Sequence, residues 1–559
     1  MPRLVGETLA AALALTLLCA CAATPSMRTE SPADAPAAQP NFLVIVLDDV
    51  GFADLGAFGS EVATPNLDRL AANGTLLSNF YTAPTCSPTR AMLLTGVDSH
   101  RAGLGNMDEF MADNQRGRDG YEGYLNDRVV TVAEILRAGG YQTYMTGKWH
   151  LGLDVARSPW ARGFDRSFAS LMGGASHFDD MAGPTVEQQR AAYRADRDLV
   201  SSLPENFYTS DFFTDEMIRY IDAGRDSGNP FLAYLAFTAV HFPVQAPDAY
   251  LEKYRGRYDA GYEHLREARF QRLKSLGLVR RDAELPVLHP SVAAWDSLST
   301  AQQEGQARAM EAYAAMLDNL DANIGRLVDY LENTGQYDNT YLVVISDNGP
   351  EGNPLTGPMF KGYVDAFDNS LENIGRKGSF VAVGPGWAEA SSAPFRGFKS
   401  YTSEGGIRVP AFVRAPGNAN AGSVITTVAS VRDITPTLLE AAAVAHPGNR
   451  FEGREVETPS GRSLLGLLRA GEAGARGDSE LFATELFGRR ALRMGRWKAV
   501  LQEMPNGTGA WELYDLRTDP GERNNLAQAQ PEVLREAIAR FEEYARDNRL
   551  IYPQGPAGY

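Results

Sequence analysis

Two short polar pairs stand where long apolar runs stop. Asp48-Asp49 follows Phe42-Leu43-Val44-Ile45-Val46-Leu47, and Asp347-Asn348 follows Thr340-Tyr341-Leu342-Val343-Val344-Ile345-Ser346. Three carboxylates and an amide carbonyl make an all-oxygen donor set, which suits Ca²⁺ or Mg²⁺ and not zinc. A different chemistry is offered by Thr85-Cys86-Ser87-Pro88-Thr89-Arg90, which leads through Ala91-Met92-Leu93-Leu94-Thr95 to Gly96. Pro88 is comfortable in the first turn of a helix, and Gly96 can close one. Cys86 then sits at or just before a helix N-terminus, where free N–H groups and the dipole favour anions. Arg90, one turn on, would hold an anion or the charge developing on a nucleophile. The same position also favours a thiolate, so these residues alone equally allow a cysteine enzyme.

Cys86 is set apart by composition. The 559-residue chain has three cysteines, at positions 19, 21 and 86, and the first two lie in the N-terminal leader. A disulfide framework is therefore excluded, and the ordinary alternative for Cys86 is a buried core thiol. The formal charge of -17 argues against nucleic acid as a partner, because phosphate binding needs clustered Lys and Arg. An anionic substrate must instead be drawn in by a local cationic pocket.

The elements that would position these groups read as α/β. Unbroken apolar runs such as 42–47 and 340–345 are what strands covered on both faces look like. Helical patterns lie between them at 132–138, 215–223 and 307–333. Alternating strands and helices predict a mainly parallel or mixed central sheet flanked by helices. In such sheets ligands bind beyond the carboxyl ends of the strands, where both acidic pairs fall. The tail differs in character. Ala491–Val500 and Trp511–Leu516 read as short antiparallel strands crossed by a final helix at 531–548, which predicts a small α+β unit. The expected boundaries are a large domain over 41–455 and a small one over 456–559.

Residues 9–20 form an apolar stretch too short to span a bilayer but suited to a signal peptide over 1–23. Leu18-Cys19-Ala20-Cys21 resembles a bacterial lipobox with Cys21 as the lipidated residue, while Ala20-Cys21-Ala22 would also serve as an ordinary cleavage site. Residues 24–40, rich in Pro, Ala, Ser and Thr, read as a flexible tether. The expected address is the periplasm or the outer membrane, with a lipid anchor as the sole membrane contact.

Cys86-Ser87-Pro88-Thr89-Arg90 resembles the Cys/Ser-x-Pro-x-Arg signature of the type I sulfatases, in which the cysteine is oxidised to formylglycine. Further similar segments are Gly147-Lys148-Trp149-His150-Leu151-Gly152, Thr238-Ala239-Val240-His241-Phe242-Pro243, Ser346-Asp347-Asn348-Gly349 and Phe398-Lys399. Another is Glu404-Gly405-Gly406-Ile407-Arg408-Val409-Pro410. The likeness runs from residue 41 to about 555 and is strongest to bacterial arylsulfatases. It implies an alkaline-phosphatase-like large domain, and Ca²⁺ (less well Mg²⁺) held by Asp48, Asp49, Asp347 and Asn348. It implies that Cys86, as a hydrated aldehyde, is the nucleophile, made by a separate formylglycine-generating maturase. Arg90 and Lys148 resemble the groups that steady the nucleophile. Lys399 and His241 resemble those that bind sulfate and protonate the leaving oxygen, and His150 the group that orients the nucleophile. A divalent ion, two Lys, an Arg and a His would together neutralise the charge on a sulfate ester in flight.

The resemblance implies a small-molecule sulfate ester, in particular an aryl sulfate, as substrate. A phosphonate monoester or phosphodiester hydrolase of the same superfamily is the alternative, and Lys148-Trp149-His150 favours the sulfatase. A non-catalytic sulfoglycan-binding protein would need a broken site, yet every expected polar group is present. Specificity is expected from the segments 104–125, 171–205 and 350–375, and His177 is expected to line the entrance.

Overall fold

Asn41–Leu47 is a strand buried along its whole length, because parallel neighbours flank it and helices cover both of its faces. Phe231–Ala236 and Thr340–Ser346 lie on either side, both parallel to it. Gln142–Lys148 and Arg166–Ser170 continue the sheet beyond the first of these, again in parallel. Tyr193–Ala195 and Asp198–Val200 then close that edge with antiparallel pairings. On the other side Ala411–Arg414 runs antiparallel to Thr340–Ser346, followed by Thr75–Leu77 and Ser423–Ile425. The ten-stranded sheet is thus mixed, with a parallel centre. The computed structural model describes residues 39–417, 420–471, 481–555 and 558. The expected signal peptide, and the expected tether except for Gln39 and Pro40, lie outside the described residues.

Alternation along the first strand builds two cores. Leu43, Ile45 and Leu47 face Phe213 and Met217 of Thr209–Gly224 and Leu317, Leu320 and Ile324 of Thr300–Asn333. Phe42, Val44 and Val46 face Ala91 and Leu93 of Cys86–Thr95, Ile135 of Val132–Ala138 and Leu438 of Ile434–Ala441. Each such side chain contributes about 1.5–3 kcal/mol on burial. The helix Thr300–Asn333 starts seven residues before the apolar pattern does, behind a Ser299–Gln302 capping box. Its first two turns are polar and carry no core-facing periodicity, so the sequence pattern missed them. Among the described residues no helix is long and apolar enough to cross a membrane.

The tail forms a separate four-stranded antiparallel sheet of Leu481–Leu486, Arg489–Met494, Trp497–Leu501 and Trp511–Asp515. The helix Pro531–Asp547 lays Ala537 and Phe541 on Leu492 and Leu513. This sheet braces the segment that carries Lys399. Buried Lys498 lies 2.9 Å from Glu404 Oε1 and 2.8 Å from Glu522 Oε1. The Glu404 carboxyl, although burial opposes its charge, is held down at about 2 by Lys498, Arg408 and Arg493. Arg489 donates to the Ser400 carbonyl at 2.8 Å. Replacing Lys498 by Met should cost about 3–5 kcal/mol, because two buried carboxylates lose their shared partner. Denaturant unfolding of the variant measures that loss, and an unchanged midpoint would show that the brace is not structural.

Candidate active site

The register Leu47↔Ser346 puts the ends of two adjacent parallel strands side by side. Asp48 and Asp49 therefore emerge beside Asp347 and Asn348, and all four are buried. The Asp49 N–H donates to Asp347 Oδ1 at 3.3 Å, and Val50 N–H to Ser346 Oγ at 2.9 Å. Asp49 holds φ 63°, an unfavourable value for a residue with a Cβ. The Tyr313 hydroxyl braces that turn, 3.2 Å from the Asp49 carbonyl and 2.6 Å from Asp54 Oδ2. Asn348 Nδ2 donates to Asp49 Oδ1 at 2.6 Å, whereas its buried Oδ1 has no partner among the described residues. Oxygens of Asp48, Asp49 and Asp347 and the Cys86 sulfur all lie within 4.8 Å of one another.

Three cations face this group from three different elements. Arg90, one turn into the helix Cys86–Thr95, donates from Nε and Nη2 to Asp347 Oδ2 at 2.9 and 2.7 Å. Its Nη1 donates to the Lys148 carbonyl at 2.9 Å. Lys148, the last residue of its strand, bonds both Asp48 oxygens at 2.9 and 2.7 Å. Gly147 before it has φ 106°, and a Cβ there would lie 1.8 Å from the Ala236 carbonyl oxygen. Only glycine allows the strand to end there. Lys399 lies 3.0 Å from Asp49 and 3.1 Å from Glu351. Glu351, which the sequence reading did not single out, makes the inventory four carboxylates against three cations. Burial accordingly pushes Asp48 up to about 8 and Asp49 to about 6, despite Lys148 and Lys399. Asp347 moves the other way, since Arg90, Lys148 and Lys399 outweigh its burial.

Cys86 is the first residue of its helix, as the sequence predicts, and is 1% exposed. No side chain caps this helix start, so its N–H groups are available to an anion. Burial nevertheless pushes the thiol well up, in spite of Lys148 and Lys399. That disfavours the thiolate which helix position alone would have promoted.

The two histidines are held differently. His241 Nδ1 is 2.7 Å from the Phe242 carbonyl, so it carries the proton and turns Nε2 toward Asp49 Oδ2 at 3.7 Å. Burial, Lys399 and Lys148 keep this ring neutral. His177 does not line the entrance as expected. It is fully buried behind His241, bonded to Thr209 Oγ1 at 2.8 Å and to the His241 carbonyl at 3.1 Å. His150 Nε2 pairs with Glu109 Oε1 at 3.0 Å, leaving Nδ1 buried and unpartnered among the described residues. Glu109 is a second group the sequence reading missed, because an acid in a loop has no periodic signal. Gly173 and Gly174 explain the close fit: a Cβ on the first would meet His150 at 2.8 Å, and on the second His241 at 2.8 Å.

The opening above Cys86, about 360 Å³, is lined by His150, His241 and Lys399 and by an apolar rim of Met107, Phe110, Phe242, Met359 and Phe360. All three segments expected to set specificity contribute to it, through Met107, Gly173 and Met359 among others. His150 lies below its ordinary value near 6.5 because burial outweighs the opposing pull of Glu109. Glu109→Gln removes the charge that favours the imidazolium. The His150 ring titration, followed by NMR, should then move to still lower pH. A midpoint that stays in place would show that Glu109 is not its electrostatic partner.

Comparison with known proteins agrees with this constellation. Residues 40–444 match the family model described as Sulfatase. An uncharacterized sulfatase of Schizosaccharomyces pombe is 45% identical over 525 residues, covering 92% of this chain and 94% of that protein. The arylsulfatase of Klebsiella aerogenes is 42% identical over 438 residues, covering 77% and 92%. Among solved structures, the PsFucS1 sulfatase from Pseudoalteromonas superposes with a TM-score of 0.61 at 21% identity, over 93% and 92% of the two chains. That likeness carries the fold, which is alkaline-phosphatase-like with a C-terminal antiparallel sheet. The strand-end acids, the helix-start cysteine and these relatives together place the chain in the sulfatase family, the sulfuric ester hydrolases.

Proposed function

We propose that the chain hydrolyses aryl sulfates to a phenol and inorganic sulfate, with Cys86 converted to formylglycine and Ca²⁺ held by Asp48, Asp49, Asp347 and Asn348. The observation that carries this reading is residue 86 itself, set at an uncapped helix start within 4.8 Å of three carboxylate oxygens. Those acids and the orphaned Asn348 Oδ1 are the donor set of a hard divalent cation, which would polarise a sulfate oxygen when bound. A soft thiol is a poor neighbour for such an ion, whereas an oxygen at the same place is a good one. Formylglycine would supply there a hydrated aldehyde with one hydroxyl to attack sulfur and a second through which sulfate can leave.

The chain's own residues then have distinct tasks. Arg90 is anchored to Asp347 and the Lys148 carbonyl, and with Lys148 it neutralises charge around residue 86. Lys399, held between Asp49 and Glu351, binds a sulfate oxygen and faces the leaving oxygen. The neutral His241 gains a proton only when the anionic ester enters beside Nε2, since a nearby negative charge favours the imidazolium. His150, held by Glu109, takes and returns a proton at residue 86. The aromatic rim supports an aryl leaving group, because Phe110, Phe242 and Phe360 offer it apolar faces. A cysteine so buried is reachable by a maturase only before the fold closes over it. The leader supports export, to the periplasm or to an outer-membrane anchor at Cys21.

Mass spectrometry of the peptide spanning residues 80–101 should show an aldehyde in place of the thiol, and Cys86→Ala should lower turnover of aryl sulfate at least about a thousand-fold. Unchanged hydrolysis would overturn the nucleophile. Chelation should abolish activity and Ca²⁺ restore it, whereas full recovery with Mg²⁺ alone would reassign the metal. A large preference for aryl phosphonate over aryl sulfate would overturn the substrate.

A further inference from the structure

A second pocket adjoins the opening above Cys86 and shares Glu109, His150, Gly173 and Gln188 with it. The two differ sharply in chemistry. The first is rimmed by Phe and Met, while the second is lined by Asp108, Glu109, Glu122 and Asp154, together with Tyr124. Its one arginine, Arg157, is turned to Asp127 at 2.6 Å and stacks on Tyr124 at 4.4 Å. Asp108 and Glu122 have outer partners in Arg116 and Arg128, at 3.1 and 2.6 Å. Asp154 forms no salt bridge among the described residues. The chamber is therefore an anionic annex to a site that must attract an anion.

Two of the residues that line it carry a buried polar atom with no partner among the described residues. Ser87, 1% exposed, lines the chamber with a hydroxyl that has no hydrogen-bond partner, and His150 Nδ1 is likewise unpartnered among the described residues. Buried polar groups are rarely left so, and both can accept a hydrogen bond. The acids repel free sulfate, and Leu104, Leu153, Leu171 and Met172 make the rest of the wall apolar. A group with several N–H donors and a positive charge satisfies the Ser87 hydroxyl and the acids together, while His150 Nδ1 stays with residue 86.

We propose that this annex is a subsite for a protonated amine on the leaving group, so that the preferred substrates are aryl sulfates bearing a cationic side chain. The sulfate lies at residue 86, the ring between the aromatic side chains of the opening, and the ammonium beyond Glu109. Such a substrate is a zwitterion, which an overall acidic protein repels far less than a bare anion. The proposal rests on the aryl sulfatase reading above, and the two fail separately.

The test uses the mature full-length enzyme and three substrates: phenyl sulfate carrying para-ethyl, para-hydroxyethyl or para-aminoethyl. The aminoethyl compound should show a kcat/KM about ten-fold above the ethyl compound, the ratio that 1.4 kcal/mol of preferential binding gives. That ratio should shrink as salt rises. It should also fall toward one in Asp108→Asn combined with Glu122→Gln, and separately in Asp154→Asn, whose exposed position makes misfolding no explanation. Equal values for ethyl and aminoethyl, or an equal gain from hydroxyethyl, would overturn the amine subsite while leaving the sulfatase intact. Failure to hydrolyse any of the three would instead overturn the aryl sulfatase reading.

Discussion

An excess of buried negative charge at the ends of two neighbouring strands is the constraint around which the site is arranged. Asp48, Asp49 and Asp347 are brought together by strand register and not by any attraction between them. Like charges 4 Å apart repel by about 4 kcal/mol at an effective dielectric of about 20. With Glu351 alongside, four carboxyl groups face Arg90, Lys148 and Lys399, and burial answers by raising Asp48 to about 8 and Asp49 to about 6. The sheet's packing holds the acids in place against that repulsion, as the two cores on its faces are large enough to do. A divalent cation and an anionic ester are what such a site is poised to take.

The cations are delivered by rigid elements, and each arrives with its own support. Lys148 is fixed by the end of a strand that only Gly147 permits, and Arg90 by the first turn of a helix packed into the core. Lys399 lies on a loop, and loops need bracing. The second sheet provides it through Lys498, Glu404 and Glu522, all buried, and through Arg489 on the Ser400 carbonyl. The C-terminal sheet thus braces the candidate site, although among the described residues it contributes none to the opening above Cys86.

The charged cluster and the openings above it are built by different parts of the fold. Strand ends and the helix start hold the charged groups, while three long loops shape what lies above them. All three line the aromatic opening, and two of them, with the segment Gly152 to Arg157, line an acid-rich annex on the other side of the Glu109–His150 pair. One pair of side chains, Glu109 and His150, therefore lines both spaces.

Much of this was legible in the sequence wherever the signal is local. The apolar runs that become Asn41–Leu47 and Thr340–Ser346 need burial on both faces, and the helix from Cys86 to Thr95 is bounded by Pro88 and Gly96. The motif segments likewise named Arg90, Lys148, His150, His241 and Lys399, which the fold gathers around Cys86. The polar start of Thr300–Asn333 and the strand Leu481–Leu486 escaped notice, since neither carries a strong periodic pattern. Glu351 and Glu109 escaped because an acid in a loop is unremarkable until a lysine or a histidine from elsewhere is placed beside it. His177 was expected at the entrance and is instead a buried support for the His241 backbone. Residue type and spacing determine which groups can do chemistry and which segments must be buried. Register between strands 299 residues apart, and the packing of loops with no pattern of their own, decide which charges meet, because burial and electrostatic balance are properties of neighbours in space.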